Sequence, residues 1–167
     1  MKVDEFEVSR RVEEFKSAIQ KAGAKLTHQR LIIFQEVASS LEHPDAETVF
    51  RAVRKQIPTI SLDTVYRTLN FLSDLGVVSS LSPCRERMRF DANLSRHHHY
   101  VCLECGKVMD FKSMELDEIT LPVSAMENGS IVSTHVEVRG ICNLCLKKQT
   151  EKSVSIKKSL AKKGAGP

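Results

Sequence analysis

The sequence predicts an α+β fold in two parts, a helical domain that closes on a short hairpin and a smaller mixed domain pinned by cysteines. Three observations carry this prediction. Four stretches between residues 5 and 76 repeat apolar side chains at helical spacing, most of them bounded by a capping residue or a breaker. Two short strand-like runs follow, ending at Asp91. Beyond Asp91 the texture changes to brief strands, and two Cys-x-x-Cys pairs appear.

The first helix is expected over about residues 5–22, where Val8, Val12, Phe15, Ala18 and Ile19 share a face and Gly23 stops the pattern. Thr27 caps a second helix expected to reach Leu41, with Leu31, Phe34, Val37, Ala38 and Leu41 as its apolar stripe. His43-Pro44 ends it, because a proline disfavours helix at the residue before it. Asp45 caps a third helix carrying Val49, Phe50, Val53 and Ile57, and Pro58 closes it. Ser61 caps a fourth, in which Val65, Leu69 and Leu72 point one way and Gly76 takes the C-terminal cap position. Residues 77–81 and 88–91 read as strands around a Ser-Pro-Cys-Arg-Glu turn. Short helices followed by a small hairpin fit a winged helix-turn-helix; a plain helical bundle with a stray hairpin is the alternative. In the second part, strands are expected near residues 99–103, 107–111 and 131–138, with a helix near 115–127. The expected domains are therefore 1–91 and 92–148, with a basic, disordered tail over 149–167.

Composition narrows the function classes. Hydrophobic residues make up 41 % and charged residues 28 %, ordinary for a soluble domain. The longest apolar runs, such as Leu31–Phe34, fall far short of the roughly 18 residues of a membrane span. Residues 1–11 are charged and lack the apolar core of a secretion signal, so a cytoplasmic protein with reduced thiols is expected. The net charge of +4 arises mainly in the tail: residues 147–167 hold seven Lys+Arg against one Asp+Glu. Net charge alone therefore does not identify a nucleic-acid binder.

Cys102-x-x-Cys105 and Cys142-x-x-Cys145 form a strong zinc signal. Each pair bites a metal from one tight turn, and four thiolates close a tetrahedral shell with no open position. Such a site is structural, and its binding energy is folding energy for a small domain. Gly106 suits a knuckle in which backbone passes close to sulfur. Cys84, in the hairpin turn, is given no role. His135-x-Glu137 ahead of Cys142-x-x-Cys145 imitates a zinc deaminase signature, but the halves are too close and no proline precedes Cys142.

His97, His98 and His99 run together. On a strand, His97 and His99 face one side and His98 the other. Asp91 lies shortly before them, and Asp110 sits near the end of the next strand. Imidazoles and carboxylates without a thiolate favour Fe(II), Mn(II) or Zn(II) over Cu(I).

Together these residues resemble the ferric uptake regulator family. The resemblance covers about residues 10–148 and rests on Leu26-Thr27-x-Gln29-Arg30, His43-Pro44, Asp63-Thr64-Val65-Tyr66-Arg67-Thr68-Leu69, Arg89-Phe90-Asp91, His97-x-His99, Cys102-x-x-Cys105-Gly106-Lys107 and Cys142-x-x-Cys145. It implies a winged-helix DNA-binding domain, a hinge, and an α/β dimerisation domain with structural zinc. It also implies a repressor, working as a homodimer on operator DNA, that depends on a second, regulatory metal. The implied ligands of that Fe(II) or Mn(II) are His43, Asp91, His97, His99 and Asp110. Aspartate at both 91 and 110 is similar to the peroxide-sensing branch, where peroxide oxidises a ligand histidine; the implied targets are His43 and His97. An iron- or manganese-sensing repressor is the alternative. By the same resemblance the third metal position of many iron regulators is broken here: Arg96 stands at one ligand position and Thr134 where a histidine is usual, with His135 displaced by one, although His98 and Asp117 could serve.

For DNA contact the expected residues are Tyr66 and Arg67 on the fourth helix with Thr64 beside them, and Lys25 and Arg30 on phosphates. The Lys-rich tail would add affinity without sequence preference. The resemblance implies no enzyme, no membrane partner, and no small-molecule substrate beyond metal and hydrogen peroxide. A zinc enzyme is the distant alternative, because the His and Asp group could supply an open metal position and a base. A zinc-shaped protein-interaction module is the third.

Overall fold

The computed structural model describes residues 2–84, 87–131 and 134–149, with the side chains of 82–84 left out. The Cys84 thiol, the tip of the hairpin turn and the tail from residue 150 therefore lie outside the described residues. The chain forms two compact units that part between Arg96 and His97.

In the first unit, local capping chemistry sets where each helix starts. Helix α1 (Glu5–Lys21) begins at Asp4, whose carboxylate accepts the Phe6 N–H at 2.9 Å. Helix α2 (His28–Ala38) begins at Thr27, α3 (Ala46–Val53) at Asp45 and α4 (Leu62–Asp74) at Ser61. Their side-chain oxygens accept from Arg30, Thr48 and Thr64 at 3.3, 2.8 and 3.0 Å. Gly76, at φ 68°, follows α4 in the left-handed conformation that a helix end favours. Helix α2 stops at Ala38, short of the expected Leu41. Ser39 accepts the Val3 N–H at 2.9 Å and Ser40 bridges to Lys2, so the chain start captures this backbone. Leu41 is accordingly exposed, and Ile33 is buried in the stripe instead.

The core lies where these helices meet. Phe15 stacks on Phe34 with ring centroids 4.5 Å apart, and Ile33, Val37, Val49, Val53, Val65, Leu69 and Leu72 are fully enclosed. Burying each such side chain contributes about 1.5–3 kcal/mol. Strands β1 (Ser79–Cys84) and β2 (Arg87–Asp91) form the antiparallel hairpin. Its register slips between Leu81 and Cys84, where Ser82-Pro83 adds one residue to β1. A bulge is a place where a strand tolerates proline, so β1 runs further into the expected turn than composition indicates. The segment before α3 joins this hairpin through a bridge from Asp45 to Arg89.

The second unit holds a three-stranded sheet in the order β4-β3-β5. Strands β3 (His98–Cys102) and β4 (Val108–Phe111) are antiparallel, pairing His99 with Asp110. Strand β5 (Glu137–Gly140) runs parallel to β3, starting later than the expected 131–138 run, of which residues 132–133 are not described. The single helix expected near 115–127 is replaced by two one-turn helices, α5 (Met114–Asp117) and α6 (Val123–Met126). Pro122 supplies no N–H and disfavours helix at Leu121, and neither piece buries a residue that could carry the helix through. A last helix, α7, covers residues 143–149. It takes in Lys147 and Lys148, which composition assigns to a disordered stretch. Its first turn is set by the Cys142 carbonyl, which accepts from Cys145 and Leu146 at 2.9 and 3.0 Å.

Candidate functional site

The four cysteines converge as their spacing predicts. Cys102 ends β3, and the tight turn after it closes when Gly106 donates to the Cys102 carbonyl at 2.8 Å with φ 70°. Cys142 and Cys145 lie just past β5 and in the first turn of α7. The parallel pairing of β5 with β3, which sets Gly140 beside Cys102, brings the second pair to the first across 36 intervening residues. All four sulfurs lie within 4.8 Å of one another, and Cys105 and Cys142 Sγ are 3.9 Å apart. A tetrahedral shell with Zn–S near 2.3 Å requires sulfur separations of about 3.8 Å, so the residues fit zinc.

The electrostatics of the four are uneven. Burial works against a charge on Cys102, but N–H groups of Cys142, Cys105 and Glu104 directed at its sulfur pull the thiol down to about 6. Burial and the neighbouring sulfurs push Cys145 up to about 12. A cation at the centre removes that penalty by turning mutual repulsion among thiolates into coordination.

The five residues of the expected regulatory site fall into two groups, one in each unit. In the first, His43 and Asp91 approach with Nε2 and Oδ2 3.5 Å apart. His43 adopts φ 47°, a left-handed backbone that is uncommon outside glycine. In the second, the Nε2 atoms of His97 and His99 lie 2.9 Å apart, with the rings edge to face. Asp110 Oδ1 stands 3.9 and 3.7 Å from those nitrogens. Two imidazoles and a carboxylate thus converge without a thiolate, a donor set suited to Fe(II), Mn(II) or Zn(II).

His98 faces the other side of β3, as alternation requires. It is fully buried beside the Phe111 ring, accepts the Val136 N–H on Nδ1 at 3.3 Å, and places Nε2 3.2 Å from Asp117. His135 and Glu137, the deaminase look-alike, are not among the residues that converge with the cysteines; Glu137 accepts from Arg139.

On the first unit, Lys25, Thr27, Gln29, Arg30, Thr64 and Arg67 line a cleft of about 500 Å³, with Thr68 and Phe71 beneath. The Arg30 guanidinium lies 4.0 Å over the Phe71 ring and donates to the Lys25 carbonyl at 2.5 Å. These two contacts hold a cation in place at the cleft. Arg67 is largely exposed, and its 3.9 Å surface contact to Asp63 contributes little. Tyr66 is 43 % exposed, so it is not a core residue, though it stands outside the cleft. Four of the five expected DNA-contact residues therefore share one concave face. Thr27 and Gln29 join them; their presence in the Thr27-x-Gln29-Arg30 motif is the signal that could have marked them.

Comparison with known proteins agrees with this geometry. The model of the ferric uptake regulator family matches residues 21–139. The peroxide-responsive repressor PerR of Staphylococcus epidermidis is 32 % identical over 138 residues, covering 83 % of this chain and 92 % of that protein. PerR of Staphylococcus aureus is 32 % identical over 145 residues, covering 87 % and 98 %. Among solved structures, the ferric uptake regulator Fur of Helicobacter pylori, described as having three functional metal-binding sites, superimposes with a TM-score of 0.69 at 26 % identity, covering 83 % of this chain and 93 % of that one. The Pseudomonas aeruginosa ferric uptake regulator with manganese gives 0.64 at 26 % identity, covering 77 % and 97 %.

Proposed function

This chain belongs to the ferric uptake regulator family of metal-sensing, DNA-binding repressors, and on that premise we propose that it is a cytoplasmic homodimeric repressor released from its operator by peroxide. Its relatives are transcriptional regulators and not enzymes. No helix among the described residues is long and apolar enough to cross a membrane.

The observation that carries the reading is the separation of two donor sets. One is a closed group of four thiolates, which suits structural zinc. The other is a thiolate-free group of histidines and aspartates, which suits Fe(II) or Mn(II). In this proposal His43, Asp91, His97, His99 and Asp110 hold one regulatory ion. Because the ligands come from both units, binding favours a single arrangement of the hinge and one spacing of the two α4 helices in a dimer, as paired half-sites demand. Metal and DNA then bind with positive coupling. Thr64, Tyr66 and Arg67 read the DNA, while Lys25 and Arg30 meet phosphates. The second unit exposes Leu103, Val138, Ile141, Leu144 and Leu146, an apolar surface consistent with dimerisation.

Peroxide sensing draws support from the named function of the staphylococcal relatives and from aspartate at 91 and 110. Fe(II) held by these ligands would supply the redox chemistry that activates peroxide; the ring of His43 or His97 would give up two electrons, one peroxide oxygen entering a ring C–H bond and the other leaving as water. An oxidised ring is a poorer ligand, so the repressor leaves DNA. The test is an anaerobic DNA-binding titration of zinc-loaded protein with Fe(II) or Mn(II), followed by stoichiometric hydrogen peroxide. Release of the iron form alone, with one oxygen gained on the peptide holding His43 or His97, is the expected result. If both forms stay bound until a chelator is added, the protein senses iron or manganese without peroxide.

A further inference from the structure

The second strand of the hairpin grips the segment that carries His43. Arg89 donates from Nη1 to the His43 carbonyl at 3.2 Å. Phe90 donates its N–H to the Pro44 carbonyl at 3.1 Å. Asp45 bridges to Arg89 through the backbone and accepts from Arg87 at 3.1 Å. Residues 43–45 thus form an added edge to the β1–β2 hairpin, and β2 itself ends in Asp91. Both ligands offered by the first unit are therefore mounted on one hydrogen-bonded patch.

His43 is where this patch is strained. Its φ of 47° is unfavourable for a residue with a Cβ, and the proline after it bars the ordinary helical alternative. Such a backbone persists only where its surroundings hold it. The Arg89 guanidinium grips its carbonyl, which helps fix the direction of the imidazole toward Asp91. We propose that Arg89 is a positioning residue for the regulatory metal: by anchoring the His43 carbonyl it holds the imidazole in line with Asp91, and so ties metal binding to the posture of the hairpin. The inference rests on the reading of His43 and Asp91 as ligands.

The test uses the full chain loaded with zinc and titrated with Mn(II), with free Mn(II) followed by electron paramagnetic resonance. His43→Ala sets the scale for loss of one ligand. Arg89→Ala is expected to weaken Mn(II) binding by about tenfold or more, the usual penalty for losing a group that orients a ligand, with zinc content unchanged. Arg89→Lys, whose ammonium can donate to the same carbonyl, is expected to recover most of that loss. With Co(II) in place of Mn(II), the visible spectrum of Arg89→Ala should move toward that of His43→Ala. A residue that only props the hairpin would lower the unfolding temperature and leave that spectrum as in the wild type. Mn(II) affinity within about twofold of wild type in Arg89→Ala, or no recovery with lysine, overturns the proposal. If the alanine variant does not fold, Arg89→Met, which keeps the apolar stem and has no N–H donor, carries the same comparison. A wild-type chain that binds no second metal, or a His43→Ala chain that binds it normally, overturns the functional reading instead.

Discussion

Replacing Asp117 with alanine should destabilise the second unit by about 1–2 kcal/mol, and the partners of His98 set that figure. His98 is 1 % exposed. Its Nδ1 accepts the Val136 N–H at 3.3 Å, so in the neutral ring the proton sits on Nε2. Nε2 faces Asp117 Oδ1 at 3.2 Å, at an angle too oblique for a full hydrogen bond. Removing the carboxylate strands a buried N–H, which costs about 1–3 kcal/mol; the oblique geometry places the loss in the lower half of that range. In a unit of this size the loss corresponds to a fall of roughly 5–15 °C in unfolding temperature. Asp117→Asn keeps an acceptor oxygen at the same reach and should cost much less. The assay is calorimetric unfolding of the zinc-loaded chain without other metals. An Asp117→Ala transition within about 2 °C of wild type would refute the reasoning. So would an asparagine variant that loses as much as the alanine.

Four further outcomes are expected. The same His98 geometry leaves no ring lone pair for an ion, so metal analysis should saturate at one zinc and one regulatory ion per protomer, unlike the three sites named for the Helicobacter pylori regulator; a third tightly held ion would contradict this. Zinc loading of the stripped protein near neutral pH should release a proton from Cys145, whose thiol is pushed up to about 12, and none from Cys102, already pulled down to about 6. Indicator-dye titration reads that release, and Cys145→Ser should lower both the release and the affinity. Burial opposes the charge on Asp45, but hydrogen bonds from Thr48 and Arg87 outweigh it and hold its pKa below 3.8. Its stabilisation is therefore present above that value and lost as pH falls through the lower folded-state value; Asp45→Ala should cost about 1 kcal/mol near neutrality and flatten that acid limb in denaturant titrations. Finally, Asp110→Glu lengthens a ligand arm and should blunt peroxide release while keeping metal-dependent DNA binding, which a gel shift with graded peroxide measures.

Much of the fold was legible because its signals are local. Thr27, Asp45 and Ser61 cap helices through contacts three residues along the chain, and Gly76 ends α4 through its own backbone freedom. The helix expected near 115–127 is broken by a similar local rule: Pro122 interrupts it, and neither α5 nor α6 has a buried face to override the break. The extent of α2 was not legible, because Ser39 and Ser40 are claimed by Val3 and Lys2, at the far end of another helix.

The candidate sites divide in the same way. Sequence alone determined the donor chemistry, since a Cys-x-x-Cys turn and a His-x-His strand face are properties of a few consecutive residues. Only tertiary structure decided which donors meet. Asp110 stands beside His97 and His99 because of the β3–β4 register, and the two cysteine pairs meet because β5 lies parallel to β3. His43 reaches Asp91 because β2 holds the segment before α3. Strand register and segment docking depend on pairing between distant stretches, whose hydrogen bonds are made by backbone common to every residue type. No local pattern of side chains announces them.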